Sequence, residues 1–363
     1  MAYLALLALA VLDAAGYSMI APVVPEIARA TDSGPAVVGA LVTCFAAGQL
    51  AGYPIAGRVI RRRHAGVVLA AALALMVAGD LGFIVGETLP VYFVSRVVQG
   101  IGAGGLWMGV TFGVLERYAD DAYRRFTGIL AAYSIGGIAG PALGSIGGIR
   151  GPFIAHLALI VLGAVAVALI GAPRRAAGFG SDRAVLREPG FVLASAGILL
   201  VALALGTLDG PLALHLGTEL SQRELSALYV GISVVVGFSA AWAGRVHPRP
   251  ALAAGAVLLG GGVPLAASTS TISVWLVAGA LLGIGFGLAE AGSLGVLLET
   301  IGTERIVLAM VIWSQLWGIG YLAAPAAGGG LAEALGASAI GLVSLVGALL
   351  VFVALAVSRA EAR

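Results

Sequence analysis

Long apolar runs alternate with short polar breaks along the whole chain. The runs cover about 3–25, 36–58, 66–86, 89–114, 126–147, 152–171, 190–212, 225–244, 250–268, 272–297, 305–328 and 336–357. Each is close to the roughly 20 residues that a helix needs to cross a ~30 Å hydrocarbon core. Charges and turn residues collect in the breaks. The pattern predicts an all-α polytopic membrane protein of twelve transmembrane helices. The ~10-residue alternating strands of an outer-membrane barrel are absent from it. One residue breaks the first run: Asp13 lies in "LALAVLDAAGYSMIAPVVPEIA", Leu7–Ala28. A charge at mid-membrane costs at least ~2.5–3.5 kcal/mol, and such residues mark pathways and proton relays.

Composition agrees with the pattern. Hydrophobic residues make up 60% of the chain and charged residues 10%, against roughly 25% charged in soluble domains. All twenty basic residues are arginine, a coding bias rather than a function. With the N-terminus cytoplasmic, sixteen of them fall in inside loops, and Arg29, Arg150 and Arg223 fall outside. The positive-inside rule therefore places both termini in the cytoplasm. Ala28-Arg29-Ala30 imitates a signal-peptidase site, but the run before it is too long and lacks a positive n-region, so no cleavage is expected. Cys44 is the single cysteine, and no Cys/His cluster suggests a metal.

The longest polar stretch, "APRRAAGFGSDRAVLREPG", Ala172–Gly190, divides the chain. It predicts an N-terminal six-helix bundle at 1–171, a cytoplasmic linker at 172–189 and a C-terminal six-helix bundle at 190–363. The halves repeat each other. "AGRV" at Ala56–Val59 recurs at Ala243–Val246, and "GIGAG" at Gly100–Gly104 matches "GIGFG" at Gly283–Gly287. Leu115-Glu116 matches Leu298-Glu299, and Leu12-Asp13 recurs at Leu208-Asp209. Gly136, Pro141 and Gly144 match Gly320, Pro325 and Gly328. Transporters built from two such repeats bind substrate near the midplane, where the repeats meet.

These residues resemble the major facilitator superfamily, and within it the twelve-helix drug:proton antiporter branch. "RVVQGIGAG", Arg96–Gly104, resembles the family's fourth-helix motif. "GILAAYSIGGIAGPALGS", Gly128–Ser145, resembles the fifth-helix antiporter motif, with Gly136, Gly140, Pro141 and Gly144 in place. The first helix, "GFGLAEAGSLGVLLE" and "GIGYLAAPAAGGGLAEALG" are most similar to vesicular monoamine transporters and their bacterial relatives. The resemblance implies the major facilitator fold, residence in a bacterial cytoplasmic membrane and alternating-access efflux driven by a proton gradient. One motif departs from the pattern. The loop after the second helix reads "GRVIRRRHAG", Gly57–Gly66: Gly57, Arg58 and Arg62 fit, but Arg61 stands where the family has an aspartate. The family's cytoplasmic latch is then expected in reversed sign, with Arg61 facing Glu299 or Glu304.

The embedded polar residues supply the candidate chemistry. Asp13 and Tyr17 share one helix face. Asp13 either satisfies a local partner or exchanges a proton for a cationic substrate. Glu290 is either a structural hydrogen-bonding group or a second coupling acid, the role that the resemblance implies. Asp209 reads as a helix-end charge or an outer gate, and Asp80 as structural. Arg96 falls on one face with Gly100, Ala103 and Trp107, placed either to counter a carboxylate such as Asp13 or to lock helix four to helix one. Gln49 and Gln99 line a pore or serve as interhelical glue. Trp313, Trp317 and Tyr321 form a helical stripe, read either as packing or as flat faces for an organic cation. Pro141 and Pro325 permit bending. His156 and His215 are lone histidines, read as structural.

Other classes fit less well. "GIGAGG", Gly100–Gly105, matches a dinucleotide fingerprint, but no strand precedes it. Gly336-Ala337-Ser338 lacks an activating histidine, so an enzyme is not expected, and no filter-like loop favours a channel. The expected partners are a small cationic or amphipathic substrate and the lipid bilayer, with no cofactor, no nucleic acid and a monomeric chain. Export of a neutral metabolite such as a sugar, or proton symport, is the alternative.

Overall fold

A computed structural model describes residues 1–33, 35–144, 146, 148–170, 182–216, 219–220, 222–269, 271–302 and 305–360. Its described residues are helical almost throughout. The helices are α1 Ala2–Ser18, α2 Ile20–Thr31, α3 Pro35–Ile60, α4 Ala65–Val85, α5 Leu89–Tyr118, α6 Ala122–Gly144 and α7 Arg150–Ile170. There follow α8 Pro189–Thr207, α9 Ala213–Leu216, α10 Gln222–Ala243, α11 Pro248–Ala267, α12 Ile272–Thr300, α13 Ile306–Leu335 and α14 Leu342–Ala360. Each of the twelve apolar runs becomes a helical pass. Eight stretches meet by themselves the length and hydropathy of a membrane span, and one of these, Leu89–Gly144, holds two passes. Proline opens several helices, as at Pro189 and Pro248, where its missing N–H costs no intrahelical bond.

The boundaries differ from the sequence reading where proline or charge intervenes. The first pass breaks at Met19 into α1 and α2, because Pro22 has no N–H to give the Ser18 carbonyl. The seventh pass widens into a π turn at Leu208–Leu212 before α9, because Pro211 has no N–H for the Thr207 carbonyl. The fourth pass runs on to Tyr118, past its apolar stretch. Its terminal charges are satisfied there: Glu116 Oε1 accepts the Ala65 N–H at 2.8 Å and caps α4, while Arg117 lies 3.2 Å from Glu116 Oε2. The twelfth pass begins with a short 3-10 turn at Ala337–Gly341.

The chain forms two compact units, Met1–Phe179 and Gly180–Arg363. The linker expected at 172–189 lies mostly outside the described residues; its described part is a 3-10 turn at Arg183–Arg187, capped by Asp182. In the first unit α5 packs on α3 and α4, and α1 packs on α6 and α7. In the second unit α12 packs on α10 and α11, and α8 packs on α13 and α14. The repeated glycines explain the shared pattern. A Cβ on Gly104 would lie 2.9 Å from the Gln49 carbonyl on α3, and one on Gly287 would lie 2.6 Å from the Ala240 nitrogen on α10. Small residues let helix backbones approach this closely.

Met19, Ile20, Val23, Leu41, Phe83, Tyr92 and Phe153 form a buried apolar cluster in the first unit. Phe83 stacks on Phe153 at 4.0 Å and on Tyr92 at 5.2 Å. Large apolar side chains also point outward, among them Leu162, Val165, Phe238 and Leu349. In water such a surface drives association; for a chain of twelve apolar passes it is the lipid-facing belt.

Candidate functional site

In the first unit, Asp13 sits near the middle of α1 and is 3% exposed. The Tyr133 hydroxyl, on α6, donates to its Oδ2. Its Oδ1 meets no hydrogen-bond donor among the described residues. Tyr133 is in turn held edge-on by the Trp107 ring of α5, with centroids 5.5 Å apart. The approach of α6 to α1 depends on glycine. A Cβ on Gly136 would lie 3.0 Å from the Ala15 nitrogen and run into the Val11 carbonyl; one on Gly140 would lie 2.7 Å from the Ala15 carbonyl. The antiporter-like glycines thus seat α1 so that Tyr133 reaches Asp13.

Arg96 is fully buried on α5, but Tyr133, not Arg96, is the described hydrogen-bond partner of Asp13. The Arg96 guanidinium donates to Gln99 Oε1 at 2.9 Å and to the Tyr17 carbonyl at 3.4 Å, and lies 4.3 Å from the Phe45 ring centroid. The Tyr17 carbonyl belongs to α1, so this bond ties the fourth pass to the first, one of the two roles expected of Arg96; its guanidinium carries donors only. Gln99 is taken at both ends, since its amide nitrogen donates to Asp80 Oδ1. It serves as interhelical glue. Tyr17 packs its ring on Phe45 at 5.4 Å. Gln49 is buried on α3, and its Oε1 meets no donor among the described residues.

In the second unit, Glu290 is half-buried on α12, with no hydrogen bond or ion pair among the described residues. One turn on, Ser293 ties three helices together. It donates to the Ala194 carbonyl of α8 at 2.7 Å and accepts the Trp313 indole N–H of α13 at 2.8 Å. Trp313 is 2% exposed, so its ring is a packing anchor. Trp317 remains half-exposed and stacks on Tyr321 at 5.3 Å. The Tyr321 hydroxyl donates to Asp209 Oδ2 at 3.1 Å. Asp209 is exposed, in the π turn that Pro211 creates. Gly210 lies against Pro325, and Gly328 against Pro211.

Each unit therefore pairs an acid from its first helix with a tyrosine from its fifth. Sequence reasoning found both acids and missed Tyr133. The available signal was a lone phenol in a run of small residues at Gly128–Gly144. Asp80 and His156, read separately as structural, are bonded to each other at 2.7 Å. Gly57 is buried at the end of α3, with Arg58, Arg61 and Arg62 exposed beyond it. Glu304 lies outside the described residues, and the described partner of Glu299 is His247 at 3.9 Å. An open depression of about 720 Å³, bordered by Glu26, Arg29, Glu87 and Arg150, includes none of the expected site residues.

Twelve helical passes in two like-packed units, with acids and an arginine buried among them, define a polytopic membrane protein. The family model "Major Facilitator Superfamily" matches residues 6–240, and the chain belongs to that superfamily of transporters. Multidrug resistance protein MdtL of Shigella dysenteriae serotype 1 (strain Sd197) is 27% identical over 336 residues, 85% of each chain. Multidrug resistance protein 1 of Bacillus subtilis (strain 168) is 32% identical over 130 residues, 36% of this chain and a third (33%) of that protein. The crystal structure of the human organic anion transporter MFSD10 (TETRAN) aligns with a TM-score of 0.78 over 96% of this chain and 98% of that one. At 15% identity that likeness shows the fold.

Proposed function

We propose that this chain is a proton-coupled exporter of small organic cations or amphipathic drugs in a bacterial cytoplasmic membrane, with both termini inside. The observation that carries the reading is Asp13: a buried carboxylate with one oxygen held by Tyr133 and the other without a donor among the described residues. A free carboxylate oxygen at such a site can take either a proton or a cationic ligand, but not both at once. Competition between the two is antiport. Glu290 is the second candidate acid, and the vesicular monoamine transporter resemblance gives it the same role. Trp107 and Tyr133 beside Asp13, and Trp317 and Tyr321 beside Asp209, offer flat faces suited to organic cations. The names of the bacterial relatives, both multidrug resistance proteins, support the substrate class.

In this account substrate enters from the cytoplasm and displaces the proton from Asp13 or Glu290. The carrier then opens outward, and an external proton reloads the acid and releases the substrate. Gly136, Gly140, Gly144, Pro141 and Pro325 provide close contacts and bends for the change. Arg61 pairs with Glu299 or Glu304 as a latch of reversed sign; charge reversal at Arg61 impairs transport, and reversal of Glu304 as well restores it. Proteoliposomes with an internal pH dye test the function when challenged with organic cations and with neutral sugars. Proton movement on adding cations is expected. Movement on adding sugars alone would replace this reading with neutral-metabolite transport.

A further inference from the structure

Four buried side chains of the first unit form an unbroken hydrogen-bonded chain that the proposed transport cycle does not use. Arg96, Gln99, Asp80 and His156 are between 0% and 2% exposed. They come from three helices: Arg96 and Gln99 from α5, Asp80 from α4 and His156 from α7. The chain ends on a fourth, because His156 Nε2 lies 3.4 Å from the Leu12 carbonyl of α1, one residue before Asp13.

Chemistry fixes the direction of the Arg96 bond, and Asp80 taken as a carboxylate fixes the rest. Arg96 has donors only, so Gln99 turns its carbonyl oxygen toward it. The Gln99 amide nitrogen then donates to Asp80 Oδ1, and Asp80 accepts as a carboxylate. Its other oxygen, Oδ2, faces His156 Nδ1 at 2.7 Å. The second ring nitrogen faces the Leu12 carbonyl, which is an acceptor in every state. With Asp80 a carboxylate, both ring nitrogens face acceptors, and both are satisfied when the ring is the imidazolium. The ring is also fixed in place: Gly16 packs on it so closely that a Cβ there would lie 2.7 Å from both Cε1 and Nε2. Among the described residues, few other charged or titratable groups face His156. They are Asp80 from α4, Asp13 from α1 and, through Gln99, Arg96 from α5; α6 presents Tyr133, whose hydroxyl is given to Asp13.

We propose that His156 is a second proton-binding residue of the first unit, whose imidazolium clamps α1 through the Leu12 carbonyl and balances the charge of Asp13. With Asp13 ionised, Arg96 and His156 offset Asp13 and Asp80, and the buried cluster is neutral. When Asp13 takes up a proton, the cluster carries one uncompensated positive charge in a low-dielectric interior. Release of the His156 Nε2 proton to solvent water restores neutrality; Nδ1–H stays with Asp80. The Leu12 carbonyl then loses its donor from α7, and the α1–α7 hydrogen bond beside the coupling acid is broken. The inference rests on the proton-coupled reading for its role in transport, but the protonation state itself does not.

The test is nitrogen NMR of the full-length protein in lipid nanodiscs, with ¹⁵N-labelled histidine. The chain has four histidines, and a His156→Gln spectrum assigns the signal. Near neutral pH the His156 ring should give two N–H nitrogens in the wild type. In Asp13→Asn that signal should give way to a neutral ring protonated on Nδ1. A singly protonated ring in the wild type overturns the proposal, as does an imidazolium unchanged in Asp13→Asn. If Asp13→Asn does not fold, the wild-type spectrum decides alone. An imidazolium that responds to Asp13, in a protein without cation-triggered proton flux, would overturn the transport reading and leave the pairing standing; the reverse pattern would do the opposite.

Discussion

The two units share a packing scheme and diverge in where they place charge. In each, an acid from the first helix accepts a hydroxyl from a tyrosine of the fifth: Asp13 from Tyr133, and Asp209 from Tyr321. Asp13 is buried and backed by the Arg96–Gln99–Asp80–His156 chain. Asp209 is exposed in a turn opened by Pro211. At the repeat positions of Arg96 and Gln99, the second unit has Gly279 and Leu282, both buried and apolar. Where the first unit has Trp107, the second has Glu290. The repeat thus supplies the scaffold twice, while among the described residues the hydrogen-bonded chain of buried polar groups is in the first copy. Burying an ion without partners costs several kcal/mol, which is why the system comes as a connected set.

This difference can be broken experimentally. The largest contrast expected is between the two repeat acids. Asp13→Asn should lower cation-driven proton flux by about a hundredfold or more, the scale of a lost proton-transfer group. Asp209→Asn should leave flux within about threefold, since a rim charge tunes rather than couples. Equal losses would erase the distinction between the units.

A second contrast concerns Glu116 and its repeat partner Glu299. Glu116 is buried against Arg117 and caps α4, whereas Glu299 meets His247 at 3.9 Å on an exposed surface. Glu116→Ala removes the α4 cap and one partner of Arg117, which keeps the Ile170 carbonyl, and should cost about 1–3 kcal/mol of stability. Glu299→Ala should cost less than about 1 kcal/mol. Thermal unfolding in detergent reads both.

The helix crossings give a smaller contrast. Gly136→Ala drives a methyl into α1 backbone and should cost about 1–3 kcal/mol. Gly320→Ala meets the Ala202 and Leu199 side chains at 2.8 and 3.0 Å, and side chains yield more readily. Its melting temperature should fall by less. The tyrosines give a contrast of similar size: Tyr133→Phe should cost about 1–3 kcal/mol by removing the donor to a buried acceptor, and Tyr321→Phe, at the exposed acid, less than about 1 kcal/mol.

Much of the fold was legible in the apolar runs, because a bilayer demands ~20 residues per pass and leaves its charges in the loops. Met19 and the π turn at Leu208–Leu212 were not, although Pro22 and Pro211 stood in plain view. A proline marks a missing N–H, but not whether the helix breaks or widens around it. Asp13 was legible because an acid in an apolar run has no innocent local reason. Its partner Tyr133 and the Asp80–His156 pair were not. Those contacts span 120 and 76 residues, and no local periodicity carries such information. Arg96 shows the same limit: its helix face was readable, while its bond to the Tyr17 carbonyl depends on how α1 and α5 meet.

The central claim is that the buried acid of the first unit carries the coupling proton. The direct measurement is dye-reported proton movement in proteoliposomes on adding an organic cation, with wild type, Asp13→Asn and Asp209→Asn side by side and folding checked by thermal melts. The account predicts movement in wild type and Asp209→Asn, and none in a folded Asp13→Asn. Undiminished movement in Asp13→Asn would contradict it.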